Sequence, residues 1–175
     1  MIKGLFLIAL LLVLCSTAFA ISAMEGRIEK IDHAAKTIVV KAADGTEHTF
    51  HFAARTTVHG TEKAAKESFH GLKEGSSVVV HYTTKGTEET VEEVDHLGED
   101  GLKATEGTVT HLDRGAKTVT VKTADGAEET FHLAGHAAED AGKDIGEGTE
   151  KSAKVTVYYS EHAGQKVAHF FKKTL

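Results

Sequence analysis

Apolar and polar residues alternate in several short stretches of the chain. The clearest is residues 118–122 (TVTVK), in which apolar and polar side chains strictly take turns. In residues 77–82 (SVVVHY), every second residue, at 78, 80 and 82, is also apolar. A two-residue period is typical of a β-strand with one buried face, so the pattern predicts a chain built mainly from strands.

The strand pattern occurs twice. Residues 25–52 return 81 residues later as 106–133 without a gap, and 15 of the 28 aligned residues are identical. The alignment also indicates the buried face, because Ile38 and Val40 stay apolar in the second copy whereas Val39 between them becomes threonine. A repeat of this length predicts two tandem copies of one small domain.

The order of elements in each copy predicts a small barrel. Three strands are followed by a helix, over residues 61–72 in the first copy and shorter within 135–150 in the second, and then by two more strands. The order β-β-β-α-β-β is that of an OB-type barrel, with an SH3-like barrel as the alternative. The matched glycines Gly26 and Gly107 fit the sharp bend expected in the first strand.

The N-terminal residues indicate the compartment of the protein. Lys3, a short apolar run and an A-x-A site ending at Ala20 predict a secretory signal peptide, and the run is shorter than the roughly 20 residues of a membrane span. We expect an exported protein, periplasmic or extracellular, with no transmembrane span in the mature chain. Lipid anchoring at Cys15 is not expected, because Leu14 is not the small residue usual before a lipidated cysteine. The predicted parts are a signal peptide (1–20), a first barrel (21–97), a linker (98–104) and a second barrel (105–175).

The composition excludes several classes of function. A net charge of −6, without a lysine or arginine cluster, is the wrong sign for nucleic acid, and the absence of tryptophan argues against a stacking platform. No catalytic motif is present, and the recurring Asp32 and Asp113 precede tight turns, where aspartate caps backbone N–H groups. We therefore expect a non-enzymatic binding or envelope-associated protein without a cofactor, whose ligand or envelope partner the sequence does not identify.

A longer motif carries a resemblance. Starting at Gly26 and Gly107, the pattern G-x-I/V-x-x-I/L-D-x-x-x-K-T-I/V-x-V resembles small secreted bacterial OB-like domains, many of unassigned function. Its layout is also similar to that of periplasmic copper-binding OB proteins. Those proteins carry methionines on the third strand with a tryptophan and a histidine nearby, whereas residues 48–52 here read HTFHF. The resemblance implies an OB-like fold without the thioether ligands of a Cu(I) site.

Twelve histidines support an alternative function, a histidine-based protein that binds or buffers a transition metal. The candidate ligands for Zn(II), Cu(II) or Ni(II) are His48, His51, His132 and His136. His51 and His132 are equivalent in the repeat. His48 and His51 are expected on opposite faces of one strand, so they cannot bind one ion together without a bulge.

The remaining polar clusters are interpreted as solvated surface. The other histidines are largely unmatched between the copies, and on that basis we expect them to be exposed: His33, His59, His70, His81, His96, His111, His162 and His169. The run of carboxylates that leads into the linker is likewise expected to be a solvated face: Glu88, Glu89, Glu92, Glu93, Asp95, Glu99 and Asp100.

Overall fold

The computed structural model describes residues 20–60, 69, 71–98, 100–144 and 153–174. The predicted signal peptide, apart from Ala20, and most of the helix predicted over residues 61–72 lie outside these residues. In the part of the chain that is described, no helix is both long enough and apolar enough to cross a membrane.

The first barrel consists of five strands. They are β1 (Ile21–Asp32), β2 (Thr37–Ala42), β3 (Glu47–His59), β4 (Ser77–Lys85) and β5 (Glu88–His96). Neighbouring strands follow the order β1-β2-β3-β5-β4, and the barrel closes because β4 pairs with β1. β3 and β5 run parallel, whereas the other pairs are antiparallel.

The second barrel repeats this arrangement. Its elements are β6 (Lys103–Asp113), β7 (Thr118–Thr123), β8 (Glu128–Leu133), α1 (Gly135–Asp144), β9 (Lys154–His162) and β10 (Gln165–Lys173). The strands close in the equivalent order, again with one parallel pair, β8 with β10. The predicted fold, mainly β with two tandem OB-like barrels, is therefore confirmed.

The residues predicted to face inward form the barrel cores. Ile38, Val40 and Phe50 are fully buried in the first barrel. Val119 and Val121 are fully buried at the equivalent positions of the second. Burying an apolar side chain of this size contributes about 1.5–3 kcal/mol, so the alternating pattern supplies the main stabilising term in each barrel.

Two matched glycines let the first strand of each barrel approach the second closely. A Cβ atom at Gly26 would lie 2.6 Å from the carbonyl oxygen of Lys41. A Cβ atom at Gly107 would lie 2.6 Å from the carbonyl oxygen of Lys122. Any larger residue would push the paired strands apart, which explains why both copies have glycine here.

The recurring aspartates cap turns, as predicted. Oδ1 of Asp32 accepts a hydrogen bond of 2.8 Å from the backbone N–H of Ala35, and Asp113 accepts one of 2.8 Å from Ala116. The hydrogen bond from Ala35 lowers the pKa of Asp32. Turn geometry therefore explains why these carboxylates recur.

The two barrels pack against each other partly through apolar side chains. Val79 of β4 and Phe170 of β10 are buried together with Leu97, which directly follows β5. Tyr158 of β9 stacks on Phe170, with ring centroids 4.3 Å apart. Leu97, where the chain leaves the first barrel, therefore takes part in the packing between the barrels.

Candidate metal centre between the barrels

The outer face of the first barrel carries buried polar residues where it meets the second. His81 of β4 and Glu93 and Asp95 of β5 are 0, 3 and 1% exposed. They alternate with the core residues Val80 and Val94, so their side chains point away from the core of their own barrel. Ionisable residues are rarely buried unless they are paired or bind an ion, so each of them needs partners.

Asp95 lies at the centre of this group. Its Oδ2 atom is 2.7 Å from Nδ1 of His169 on β10 and 3.4 Å from Nε2 of His81. Burial opposes ionisation, but the hydrogen bonds from the two histidines outweigh it and hold the pKa of Asp95 well below its usual range. The other oxygen, Oδ1, is buried and has no hydrogen-bond partner among the residues that the structure describes.

Glu93 joins the first barrel to the helix of the second. Both of its carboxylate oxygens lie 3.2 Å from the backbone nitrogen of His136, in the first turn of α1. That turn contains no acidic residue, so Glu93 supplies the negative charge that a helix N-terminus favours. A Cβ atom at Gly135 would lie 2.9 Å from Cδ of Glu93, so a larger residue here would force the carboxylate to shift.

His59, at the end of β3, completes a group with the composition of a metal site. Its Nε2 atom is 3.6 Å from Oε2 of Glu93, and this contact raises the pKa of His59 although partial burial opposes the shift. One ring nitrogen of His59 and one carboxylate oxygen from each of Glu93 and Asp95 lie within 4.8 Å of one another. Ligand atoms bind Zn(II) at about 2.0–2.2 Å, so small side-chain rotations would bring all three onto one ion.

A cavity of about 380 Å³ opens beside these residues. The first barrel contributes His59 and Asp95 to its lining, and the second contributes Ser160 and His169. The side chain of His59 is 49% exposed and Asp95 lines the cavity, so the cavity connects Asp95 to the solvent past this ring.

The donor atoms suit some metals better than others. Imidazole nitrogen with carboxylate oxygen is a donor set for Zn(II), Cu(II) or Ni(II), whereas Cu(I) and Ag(I) favour sulfur. Met24 is the only methionine after residue 20, and it packs against the core of the first barrel. The residues present therefore fit a borderline divalent ion and do not fit a soft monovalent one.

Two of the four predicted ligands, His51 and His132, are not members of this buried group. His51 and His132 are exposed on different barrels. Nε2 of His132 lies 3.5 Å from the side-chain amide of Gln165. No contact among the described residues joins either histidine to the buried group, and their role as ligands stays a prediction.

The third predicted ligand, His48, pairs with a carboxylate. Its Nδ1 atom is 3.1 Å from Glu89 and its ring stacks on Phe50, on the opposite strand face from the exposed His51, as predicted. The second barrel has an ion pair at the equivalent positions, in which Nζ of Lys166 lies 3.0 Å from Glu129. A pair that recurs with different side chains indicates a structural role at this end of the barrel.

The fourth predicted ligand, His136, is the only one of the four that contacts His81 and Glu93 among the residues that the structure describes. Its ring centroid is 5.5 Å from that of His81. Its Nδ1 atom is 3.2 Å from Oε2 of Glu139, one turn further along α1. His136 thus contacts the first barrel through both its backbone and its ring.

Two expectations drawn from the sequence are wrong. His81 and His169, expected to be solvated, are 0 and 4% exposed, and Glu93 and Asp95 of the acidic run are buried as well. These positions point outward from their own barrel but are covered by the other one. Val79 was a usable signal, because an apolar residue on the outward face of a strand indicates that this face is also buried.

Comparison with known proteins gives matches to solved structures only. No family model and no curated protein sequence matches the chain. A crystal structure of Ag(I)-bound CusF matches at 15% identity over 43% of this chain and 95% of that chain, with a TM-score of 0.34. Ag(I)-bound CusF from Escherichia coli matches at 13% over 47% and 98%, with a TM-score of 0.37. Apo-CusF from Escherichia coli matches at 14% over 49% and 98%, with a TM-score of 0.37. The matched CusF structures include Ag(I) complexes and a Cu(II) complex of a tryptophan-to-alanine variant.

Proposed function

We propose that this protein binds a divalent transition-metal ion between its two barrels, with His59, Glu93 and Asp95 as ligands. The observation that carries the proposal is Asp95, whose Oδ1 atom is buried without a partner among the described residues and which forms, with His59 and Glu93, a trio that has one donor atom each within 4.8 Å. A buried polar atom without a partner costs about 1–3 kcal/mol. A bound ion would remove that cost.

The surroundings of the trio support the same proposal. His169 and His81 hold the other oxygen of Asp95, which orients the carboxylate in the way that outer hydrogen bonds orient metal ligands. The cavity gives the ion a route from solvent. Zn(II), Cu(II) and Ni(II) match the donor set, and Zn(II) is the first ion to test because it accepts mixed nitrogen and oxygen ligands at low coordination number.

The test is a metal titration that separates this site from the exposed histidines. Binding of Zn(II), Cu(II) and Ni(II) is measured by calorimetry for the wild type, for His59→Ala, and for a double variant, His51→Ala with His132→Ala. We expect His59→Ala to lose the ion that binds to His59, Glu93 and Asp95, and the double variant to keep it. If the double variant loses binding while His59→Ala retains it, the exposed pair is the site and this proposal is wrong.

We also propose that the protein is not an enzyme, although one hydrogen-bond chain resembles a catalytic triad. Oγ of Ser160 is 2.8 Å from Nε2 of His169, whose Nδ1 contacts Asp95, and this is the order of a Ser-His-Asp triad. Ser160, however, is 8% exposed and lies within β9, paired with Val167 of β10. A hydroxyl held in this way serves to satisfy the second nitrogen of a buried histidine.

A serine-reactive probe tests the absence of catalysis. The protein is incubated with a fluorophosphonate and, separately, with an activated ester. We expect no labelling of Ser160 and no hydrolysis above the rate of Ser160→Ala. Labelling that Ser160→Ala abolishes would show a reactive nucleophile and overturn the non-enzymatic proposal.

We further propose that the protein is exported, on the basis of the sequence pattern in residues 1–20. The measurement is the N-terminal sequence of the protein recovered from the periplasm or the medium. A mature chain that starts at Ile21 is the expected result. An intact N-terminus on protein found only in the cytoplasm would contradict export.

A further inference from the structure

Two histidine rings meet where the barrels pack together, and neither is a ligand in the three-residue site described above. The ring centroids of His81 and His136 are 5.5 Å apart, with an interplanar angle of 36°. His81 comes from β4 of the first barrel and His136 from α1 of the second. The pair therefore spans the boundary between the barrels.

The hydrogen bonds of His81 determine which of its nitrogens can bind an ion. Nε2 lies 3.4 Å from Oδ2 of Asp95, an ionised carboxylate that can only accept, so Nε2 carries the hydrogen. Nδ1 then presents a lone pair. This atom is fully buried and has no hydrogen-bond partner in the described parts of the chain.

His136 has the same arrangement with its nitrogens exchanged. Its Nδ1 atom is 3.2 Å from Oε2 of Glu139, so Nδ1 donates and the lone pair lies on Nε2. Metal-binding histidines usually donate their other ring N–H to a carboxylate, which fixes the tautomer and orients the ring. Both rings therefore have the hydrogen-bonding pattern of metal ligands.

We propose that Nδ1 of His81 and Nε2 of His136 bind a second divalent transition-metal ion across the barrel boundary. Two imidazoles that bind one ion through nitrogens about 2.0–2.1 Å away have ring centroids about 5–6 Å apart, which the observed separation matches. The inference rests on the proposed metal-binding function and extends it from one ion to two. Asp95 connects the sites, because it is a ligand of the first ion and the hydrogen-bond partner of His81.

The two sites differ in how they depend on the domain packing. His59, Glu93 and Asp95 all belong to the first barrel, so the first site is assembled by one barrel and covered by the other. The second site takes one ligand from each barrel. An ion bound there would connect the barrels directly, whereas an ion at the first site would not.

The experiment counts ions with Cu(II) alone as the probe. Equilibrium dialysis of the full protein gives the number of ions bound per chain, and electron paramagnetic resonance reports the nitrogen ligands. The wild type is expected to bind two ions, and His136→Ala and His59→Ala one each. His132→Ala, which removes an exposed histidine of the same barrel, is expected to keep two.

His136→Ala is the first variant because that ring is only partly buried and the backbone N–H that contacts Glu93 remains. His81→Gln provides a second route, since a glutamine amide can still donate to Asp95 but does not replace the imidazole ligand. Two ions in both variants would overturn the second site. One ion in the wild type, lost in His59→Ala and kept in His136→Ala, would also overturn it while leaving the proposed function intact. No ion in any variant would overturn both.

Discussion

On the outer face of the first barrel His81 of β4 lies opposite Glu93 of β5, whereas at the equivalent positions of the second barrel Tyr158 of β9 lies opposite Phe170 of β10. The strand register shifts directly beside both pairs. One backbone arrangement therefore carries an ionisable pair in one barrel and a stacked aromatic pair in the other.

This difference shows where the two copies had to diverge. The aromatic pair joins Val79 and Leu97 in the apolar part of the boundary. The ionisable pair lies in the polar part, beside His136 and Asp95. Two barrels that pack through non-equivalent faces need different residues at equivalent positions. At these two positions the unmatched residues lie at the shared boundary, whereas matched residues such as Ile38 and Asp32 lie in a core and in a turn.

The largest expected effect comes from removing the central carboxylate. Asp95→Ala leaves His81 and His169 buried without their common partner, and breaking a buried pair in this way costs about 3–5 kcal/mol. Urea unfolding at neutral pH measures the change. Lys172, at the equivalent position of the second barrel, is exposed, so Lys172→Ala is the matched control and should cost less than about 1 kcal/mol. Equal costs would show that the two outer faces do not differ in the way described.

A substitution with a smaller expected effect, Gly135→Ala, tests the contact between Glu93 and α1. Replacing a glycine in the middle of a helix by alanine stabilises it by about 0.5–1 kcal/mol, and this is the upper limit for Gly135, the first residue of α1. At Gly135 the new Cβ would meet the Glu93 carboxylate, so we expect Gly135→Ala to destabilise the protein by about 1–3 kcal/mol.

The same substitution in a Glu93→Ala background is the control for this prediction. With the carboxylate removed, Gly135→Ala should become neutral or stabilising, because the steric conflict is gone. Urea unfolding of the four proteins in this cycle gives the coupling. A cost that is the same in both backgrounds would place the conflict elsewhere in α1.

The smallest expected effect concerns the turn between β2 and β3 and the matching turn between β7 and β8. The backbone N–H of Thr46 lowers the pKa of Asp44, and the hydroxyl of Thr123 lowers that of Asp125. A folded-state pKa below the unfolded value of about 3.8 adds stability at higher pH, and this is lost as the pH falls through the folded value. We expect Asp44→Asn and Asp125→Asn to flatten the acid limb of the stability curve slightly and equally. An effect confined to one barrel would contradict the equivalence of the turns.

Much of the fold follows from local patterns. Alternation places Ile38 and Val40 in the core. Asp44-Gly45 between β2 and β3 recurs as Asp125-Gly126 between β7 and β8, because a tight hairpin turn favours these residues, and Gly26 recurs because the close strand approach needs it. These features depend on residues that are near in sequence or paired within one barrel. The repeat then shows them twice, which is why the two-barrel architecture could be predicted.

The candidate site could not be predicted in this way. His81, Glu93 and Asp95 have the alternation of solvent-facing strand positions, and only the second barrel, lying over them, makes them buried. His59, His136 and His169 join the group from other strands and from α1. The sequence by itself determined two OB-like barrels and their cores, since the β-period and turn chemistry are local. The tertiary structure decided which outer faces meet, and desolvation across that boundary turns ordinary polar residues into a candidate metal site.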